Sequence, residues 1–373
     1  MKLIALKDVC KINMGQSPNS SSYNDYGDGM PFFQGNADFG ERYPITRVWC
    51  NTPTKIAQAE DILISVRAPI GALNYAKEEC CIGRGIAAIT PDRNKVSQDF
   101  IYWALKGKKA ELNDKGNGST FKAISRKILE ETMIPDINFE QQHKCAENLE
   151  KIYGIIQNRR KELLALDDLI KARFVEMFGD PVSNSRGLPE ATLPELGEFG
   201  RGVSKHRPRN DPKLLGGKYP LIQTGDVASS DLYITSYTGT YSDLGLAQSK
   251  MWDEGTLCIT IAANIAKTAI LGFDACFPDS VVGFRANEKT NNIYIHYWFS
   301  FFQRILEAQA PESAQKNINL KSLSELRVIY PTKEEQDAFA AFVAEVDKSK
   351  VAVQKALDET QTLFDSLMQE YFG

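Results

Sequence analysis

Histidine is scarce: His143, His206 and His296 are the three in 373 residues. They are scattered and no H-E-x-x-H occurs, so metal hydrolysis built on paired imidazoles is excluded as a reading, and no metal is expected. The seven cysteines, Cys10, Cys50, Cys80, Cys81, Cys145, Cys258 and Cys276, are odd in number and none has C-x-x-C spacing. Neither a disulfide framework nor a zinc site is indicated, and a reducing cytoplasm is the expected location. No apolar run approaches the ~18 residues needed to span a bilayer. The opening MKLIALKDVCKIN (1–13) has no long apolar core and no cleavage site of a signal peptide, so no membrane partner is expected.

Catalytic signatures are missing as well. There is no G-x-x-x-x-G-K-[ST], no G-x-G-x-x-G after a strand and no G-x-S-x-G. An amino-methyltransferase would need an Asn- or Asp-Pro-Pro-aromatic motif, which is absent. Pro278-Asp279 followed by Glu288-Lys289 has the wrong spacing for a nuclease signature. The chain is read as not an enzyme and as holding no cofactor of its own. A basic excess is also lacking: 44 Lys and Arg face 48 Asp and Glu, for a net charge of −4. Taken alone, that balance argues against nucleic acid. Binding needs only a local basic surface, however, and acidic residues can be segregated onto helices.

What is present is a repeat. GSTFKAISRKILEETMIP (118–135) returns as ESAQKNINLKSLSELRVIYP (312–331). Ser119 pairs with Ser313, Lys122 with Lys316, Ile124 with Ile318 and Leu129 with Leu323, each 194 positions apart, as 318 is from 124. The matches run collinearly through the chain. Leu6 answers to Leu193, and Pro31 and Gln34 to Pro220 and Gln223. The strand-like 60–83 answers to 255–278, Glu140-Gln141 to Glu335-Gln336, and Phe178-Gly179 to Phe372-Gly373. Two copies are too few for a solenoid, so the expected organisation is a duplicated domain with pseudo-twofold symmetry.

Each copy opens as mixed α/β. DILISV (61–66), GIAAIT (85–90), TLCITI (256–261) and VVGFRA (281–286) read as strands. QDFIYWALKG (98–107) and IYIHYWFSFF (293–302) read as apolar helices. Each copy then closes in a long helix. Leu149, Ile156, Leu163, Ile170 and Met177 recur every seven residues, with Arg159 and Arg173 interrupting the alternate seam. In the second copy Val343, Leu357 and Phe364 share one register, broken at Lys350, and Val346, Val353 and Leu367 share the other. Heptad stripes seek a partner helix. With a globular domain between them, the two helices are expected to pair as an antiparallel coiled coil. About 38 residues at ~1.5 Å each give a rod of roughly 57 Å, between one and two DNA turns at roughly 34 Å per turn. The resulting segments are 1–138, 139–179 (helix), a linker at 180–192, 193–333, and 334–373 (helix).

Candidate binding chemistry lies in loops. RGVSKHRPRNDPKLLGGK (201–218) is the densest basic stretch and carries Arg201, Lys205, Arg207 and Arg209. Such a loop can reach phosphates, and Arg can fork onto guanine; a solvated surface loop is the other reading. The matching stretch MGQSPNSSSYN (14–24), with Gln16, is polar and uncharged. Gln34 and Asn36, like Gln223 and Thr224, occupy equivalent loops, with Asp38 and Asp226 beside them. Amide side chains can bond adenine and Asp can accept from cytosine; they can equally stabilise turns. Arg67 and Arg84 in one copy, and Asn264 and Lys267 in the other, flank the central strands. Ser119 and Lys122, like Gln315 and Lys316, precede a short helix expected near Ile124 or Ile318. Its N-terminus is suited to a phosphate, or else is simply a capped helix start.

The pattern G-S/T-x-x-K-x-I-S…L…I-P…E-Q, then a long heptad helix ending Phe178-Gly179-Asp180-Pro181, all of it repeated, resembles the specificity subunit of type I restriction-modification systems. The residues are Ser119, Lys122, Ile124, Ser125, Leu129, Ile134-Pro135 and Glu140-Gln141, and again Ser313, Lys316, Ile318, Leu323, Pro331 and Glu335-Gln336. The resemblance covers essentially the whole chain. It implies two target recognition domains, each reading one half of a split double-stranded DNA site, and a helical spacer. It implies two methyltransferase subunits that use S-adenosylmethionine, and restriction subunits that join them. Asn319 stands where the first copy has Ser125, and Ala314-Gln315 replaces Thr120-Phe121, which leaves residue-level contacts open. The competing reading is a coiled-coil scaffold that organises protein partners without touching DNA.

Overall fold

Strand Ile62–Ser65 is built of Ile, Leu and Ser, and all four residues are buried. It is the centre of a four-stranded antiparallel sheet ordered Cys10–Met14, Ile86–Pro91, Ile62–Ser65, Leu73–Tyr75. The computed structural model describes residues 2–116, 122–262, 265–309 and 318–373, with side chains of 304–309 excepted. These residues form two compact units. Unit 1 is Met1–Lys161 with Gln354–Gly373, and unit 2 is Glu162–Val353.

In unit 1 the apolar helix Gln98–Gly107 buries every residue from Phe100 to Leu105. It is tied to the sheet by Tyr75, which stacks on Tyr102 at 4.7 Å and donates to Asp99 at 2.9 Å. A second sheet is ordered Tyr23–Asn24, Trp49–Cys50, Met30–Phe33, Cys80–Ile82, Ile56–Ala57. One of its pairs is parallel, with Phe32 opposite Cys81.

Unit 2 repeats this plan. Gly197–Arg201, Val281–Ala286, Leu257–Thr260 and Thr268–Leu271 lie in the same antiparallel order. A fifth strand, Tyr233–Ile234, joins parallel to Thr268–Leu271. In its second sheet Leu221 again faces a cysteine, Cys276, in a parallel pair. Within 180–192, Glu190–Ala191 pairs with Val328–Ile329 as a short antiparallel strand pair. All seven cysteines are free and buried, and no described helix is long and apolar enough to cross a membrane.

Two helices of 40 residues, Phe139–Phe178 and Lys333–Phe372, close the copies, and each is shared between the units. In unit 1, Asn148 donates to Tyr371 (3.3 Å) and Arg160 to Gln361 (3.5 Å). In unit 2, Lys350 meets Asp167 (2.8 Å) and Phe174 lies on Phe339 (5.4 Å). Numbers rise on one helix as they fall on the other, so the pairing within each unit is antiparallel. Leu149, Ile156, Ile170, Val346, Leu357 and Phe364 are buried, and Leu163, Met177, Val353 and Leu367 are half-buried. The heptad break at Lys350 has a partner set: its ammonium also reaches Asp231 at 3.2 Å. At the break at Arg173 the guanidinium lies over the Phe342 ring at 5.7 Å.

Candidate nucleic-acid interface

In unit 1, five loops meet where the strands of both sheets end. Gln16 donates its amide to Ile82 (2.9 Å), and the Arg84 amide donates to Ser17 Oγ (3.2 Å). Gly85 donates to the Gln34 carbonyl (3.1 Å), and Val66 donates to the Gly85 carbonyl (2.9 Å). Ile124 donates to the Val66 carbonyl (2.9 Å), and Ala68 donates to the Lys122 carbonyl (3.1 Å). The chain of bonds gathers Gln16, Gln34, Arg67, Arg84 and Lys122, whose side chains are all exposed. Gly85 is required here, because a Cβ would collide with the Gln34 carbonyl oxygen. Arg67, Arg84 and Lys122 make no ion pair among the described residues. Three unpaired cations and two amide side chains on one surface suit a phosphate backbone and base edges. They also answer the charge objection, since the patch is locally basic in a chain of net charge −4.

Unit 2 builds the same junction. Gly202 donates to Val281 (2.9 Å), Val203 to Phe277 (3.1 Å) and Ile222 to Cys276 (2.8 Å). Ile261 donates to Ser280 (3.0 Å), and Ile318 to Ile261 (3.0 Å). Arg201, Lys205, Arg207, Arg209, Gln223 and Lys267 are exposed and Thr224 is half-buried. The basic stretch is not loop throughout: Arg201 ends strand Gly197–Arg201 and Lys218 lies in strand Leu215–Leu221. Ser119, Asn264, Ser313, Gln315 and Lys316 lie outside the described residues.

The short helices expected near Ile124 and Ile318 begin at Arg126 and Leu320, and each is a single turn of five residues. Their caps are occupied by their own residues: Ser125 Oγ accepts from Ile128 N–H (3.4 Å) and Asn319 Oδ1 from Ser322 N–H (2.8 Å). Ile124 and Leu129, like Ile318 and Leu323, are buried on either side of the cap, the spacing of a hydrophobic staple. The repeated motif thus caps and staples the helix start and positions Lys122, as the second of the two readings expected.

Asp38 accepts from the amides of Gln34 (2.7 Å) and Gly35 (3.3 Å), and Asp226 from that of Gln223 (2.8 Å). Both carboxylates hold turns, the second of the two readings expected. Sequence reasoning missed Ser65 and Thr260, whose hydroxyls accept from Ala72 (2.9 Å) and Lys267 (3.1 Å) in matching turns. Their identical place in the two copies was the available signal. No cluster of three metal-ligating side chains occurs among the described residues.

Residues 1–165 and 190–360 match the family model described as type I restriction modification DNA specificity domain. Over 152 residues the chain is 47% identical to the putative type I restriction enzyme MjaX specificity subunit of Methanocaldococcus jannaschii, covering 41% of this chain and 36% of that one. The type I restriction enzyme MjaIX specificity subunit of the same organism is 27% identical over 186 residues, 47% of this chain and 43% of that one. The chain thus matches less than half the length of either relative. The type I restriction enzyme EcoBI specificity subunit of Escherichia coli is 20% identical over 411 residues, 99% of this chain and 85% of that one. In fold the chain resembles the crystal structure of the type I restriction-modification S subunit from M. genitalium, with TM-score 0.59, 15% identity, and coverage of 100% and 96%. A structure from work on assembly and conformational transition of the type I system gives TM-score 0.60 at 16% identity, covering 100% and 97%. The chain carries the domain twice, and it belongs to the family of type I restriction-modification DNA specificity subunits.

Proposed function

We propose that this chain is the non-catalytic sequence reader of a type I restriction-modification complex, and that each unit reads one half of a bipartite double-stranded DNA site. The observation that carries this reading is the duplicated junction of strand-end loops: each bears exposed cations, and Gln34 and Gln223 stand at matching positions. One such surface would bind DNA generally; two that differ in their loops suit two different half-sites. The basic stretch around Arg207 in unit 2 has only the uncharged stretch around Gln16 as its counterpart in unit 1. The paired helices act as the spacer between half-sites and as the docking surface for two methyltransferase subunits. Those subunits use S-adenosylmethionine, restriction subunits complete the complex, and the assembly works in the cytoplasm.

The test is coexpression with the methyltransferase encoded beside this chain, in cells lacking other DNA methylation, followed by genome-wide mapping of methylated adenines. A two-part motif with a fixed unread spacer is expected. Exchange of residues 193–333 for those of a relative should change one half of that motif alone. A stable complex that yields no motif would favour a scaffold that organises proteins without touching DNA.

A further inference from the structure

Asp279 lies in the loop between strands Ala275–Cys276 and Val281–Ala286, 195 positions after Arg84 in the duplicated frame. The backbone around the two positions is alike, since Val66 bonds Gly85 and Ile261 bonds Ser280. The side chains differ in sign. Arg84 is an exposed cation with no ion pair among the described residues. Asp279 gathers two arginines of the basic loop: Arg207 at 3.5 Å, and Arg209 through its Nη2. The other guanidinium nitrogen of Arg207 donates to the carbonyls of Ser204 (2.6 Å) and His206 (2.9 Å). Arg207 is thus committed to the loop itself. At the far side of the loop Asp211 accepts from the Lys213 amide (3.0 Å) and sits 3.1 Å from His206 Nε2.

This cluster is not explained by stability. Asp279, Arg207 and Arg209 have side-chain exposures of 34%, 54% and 46%, and ion pairs so exposed contribute little. A carboxylate beside a phosphate backbone also opposes binding, because it cancels one of the cations that would release counterions. One anion with two cations leaves one net positive charge, the same charge that Arg84 supplies alone in unit 1.

We propose that Asp279 is a positioning residue for DNA reading by the second unit. Through Arg207 it clamps the basic loop over the strand ends, and it fixes the Arg209 guanidinium. It lowers general affinity for DNA and raises discrimination at the second half-site. This rests on the DNA-reading function proposed above.

The experiment uses the full chain assembled with its methyltransferase partner and a random-sequence duplex pool, with the bound fraction sequenced. Wild type should enrich both half-sites. Asp279→Asn should leave the first half-site intact and lower discrimination at the second by about tenfold, the worth of roughly one misread base pair. Its binding to the unselected pool should be equal or stronger, with the melting temperature unchanged. Asp279→Glu, which keeps the charge, should restore discrimination. Asp279→Asn enriching the same two half-sites as wild type would overturn the proposal. So would equal loss of both half-sites, or weaker binding to the whole pool. A wild-type complex that enriches no motif would overturn the DNA reading itself and Asp279's role with it.

Discussion

The amide of Ile124 donates to the carbonyl of Val66 at 2.9 Å, and its counterpart Ile318 donates to Ile261 at 3.0 Å. This one bond closes the strand-end junction in each unit. It brings a segment 58 residues downstream, as 124 is from 66, back onto the end of the central strand. In unit 1 it sets Lys122 beside Arg67, since Ala123 bridges Arg67 and Ala68 donates to Lys122.

Lys122→Ala, Arg67→Ala and Arg84→Ala should therefore each weaken binding to every DNA sequence. If each cation neutralises one phosphate, the slope of log affinity against log salt should fall by about 0.9 per substitution. Fluorescence anisotropy of a labelled duplex across a salt series reads both quantities. Slopes equal to wild type for all three would remove the phosphate role from this surface.

The staple and its cap should behave differently from the cations. Ser125→Ala and Asn319→Ala each remove a cap hydrogen bond and should cost about 1 kcal/mol. Ile124→Ala empties a position that is 3% exposed and should cost about 2–5 kcal/mol. Urea midpoints measure the difference, and DNA affinity of folded Ser125→Ala should match wild type. Weaker DNA binding by Ser125→Ala without a midpoint shift would give the hydroxyl back to the DNA surface.

Much of this was legible because duplication prints every signal twice. The strands around Ile64 and Ile259, the apolar helices around Trp103 and Trp298, and the heptad helices all declare themselves by periodicity. The staple was legible as a repeat of Ile124 and Leu129 but not as a mechanism. Ser, Lys and a short helix look alike whether they bind phosphate or cap a turn. Asp38 and Asp226 were ambiguous for the same reason: a carboxylate bonding an amide three or four residues away leaves no mark in sequence. Asp279 was hidden because its meaning lies in Arg207, which is 72 residues away, as 279 is from 207.

The division of the long helices between units makes a further claim. Phe174 belongs to the first copy's helix, yet it is fully buried in unit 2. It packs on Phe178 (5.0 Å), Tyr294 (5.3 Å), Phe301 (5.1 Å) and Phe339 (5.4 Å). Phe174→Ala should destabilise unit 2 by about 3–5 kcal/mol. Hydrogen exchange should show lost protection at Val282 and Phe339 while Ile64 in unit 1 stays protected. Equal loss in both units, or none, would contradict the assignment of this helix segment to the second core.

Lys106 gives unit 1 a pH signature. Its ammonium lies 3.5 Å from the ring centre of Tyr153, 4.7 Å from that of Trp103 and 5.8 Å from that of Tyr102. Burial there pulls its pKa down from 10.5 to about 8, against the opposing pull of Glu150. Between about 8 and 10.5 the unfolded chain holds this proton and the folded chain does not, so this group makes stability rise with pH in that window. Below about 8 both states are protonated, and the desolvation penalty is constant and fully present. Cys10, Cys80 and Cys145, pushed up by burial from 9 to about 12, act in the opposite sense. The comparison must therefore be with a variant rather than with a flat line. Lys106→Met gives up cation–π contacts worth about 0.5–2 kcal/mol but removes a buried charge, so at pH 7 it should be at least as stable as wild type. Its advantage should shrink as pH rises from about 8 to 10.5, as read from urea midpoints at successive pH values. A constant difference across that window would mean that the Lys106 ammonium keeps its hydration among the rings.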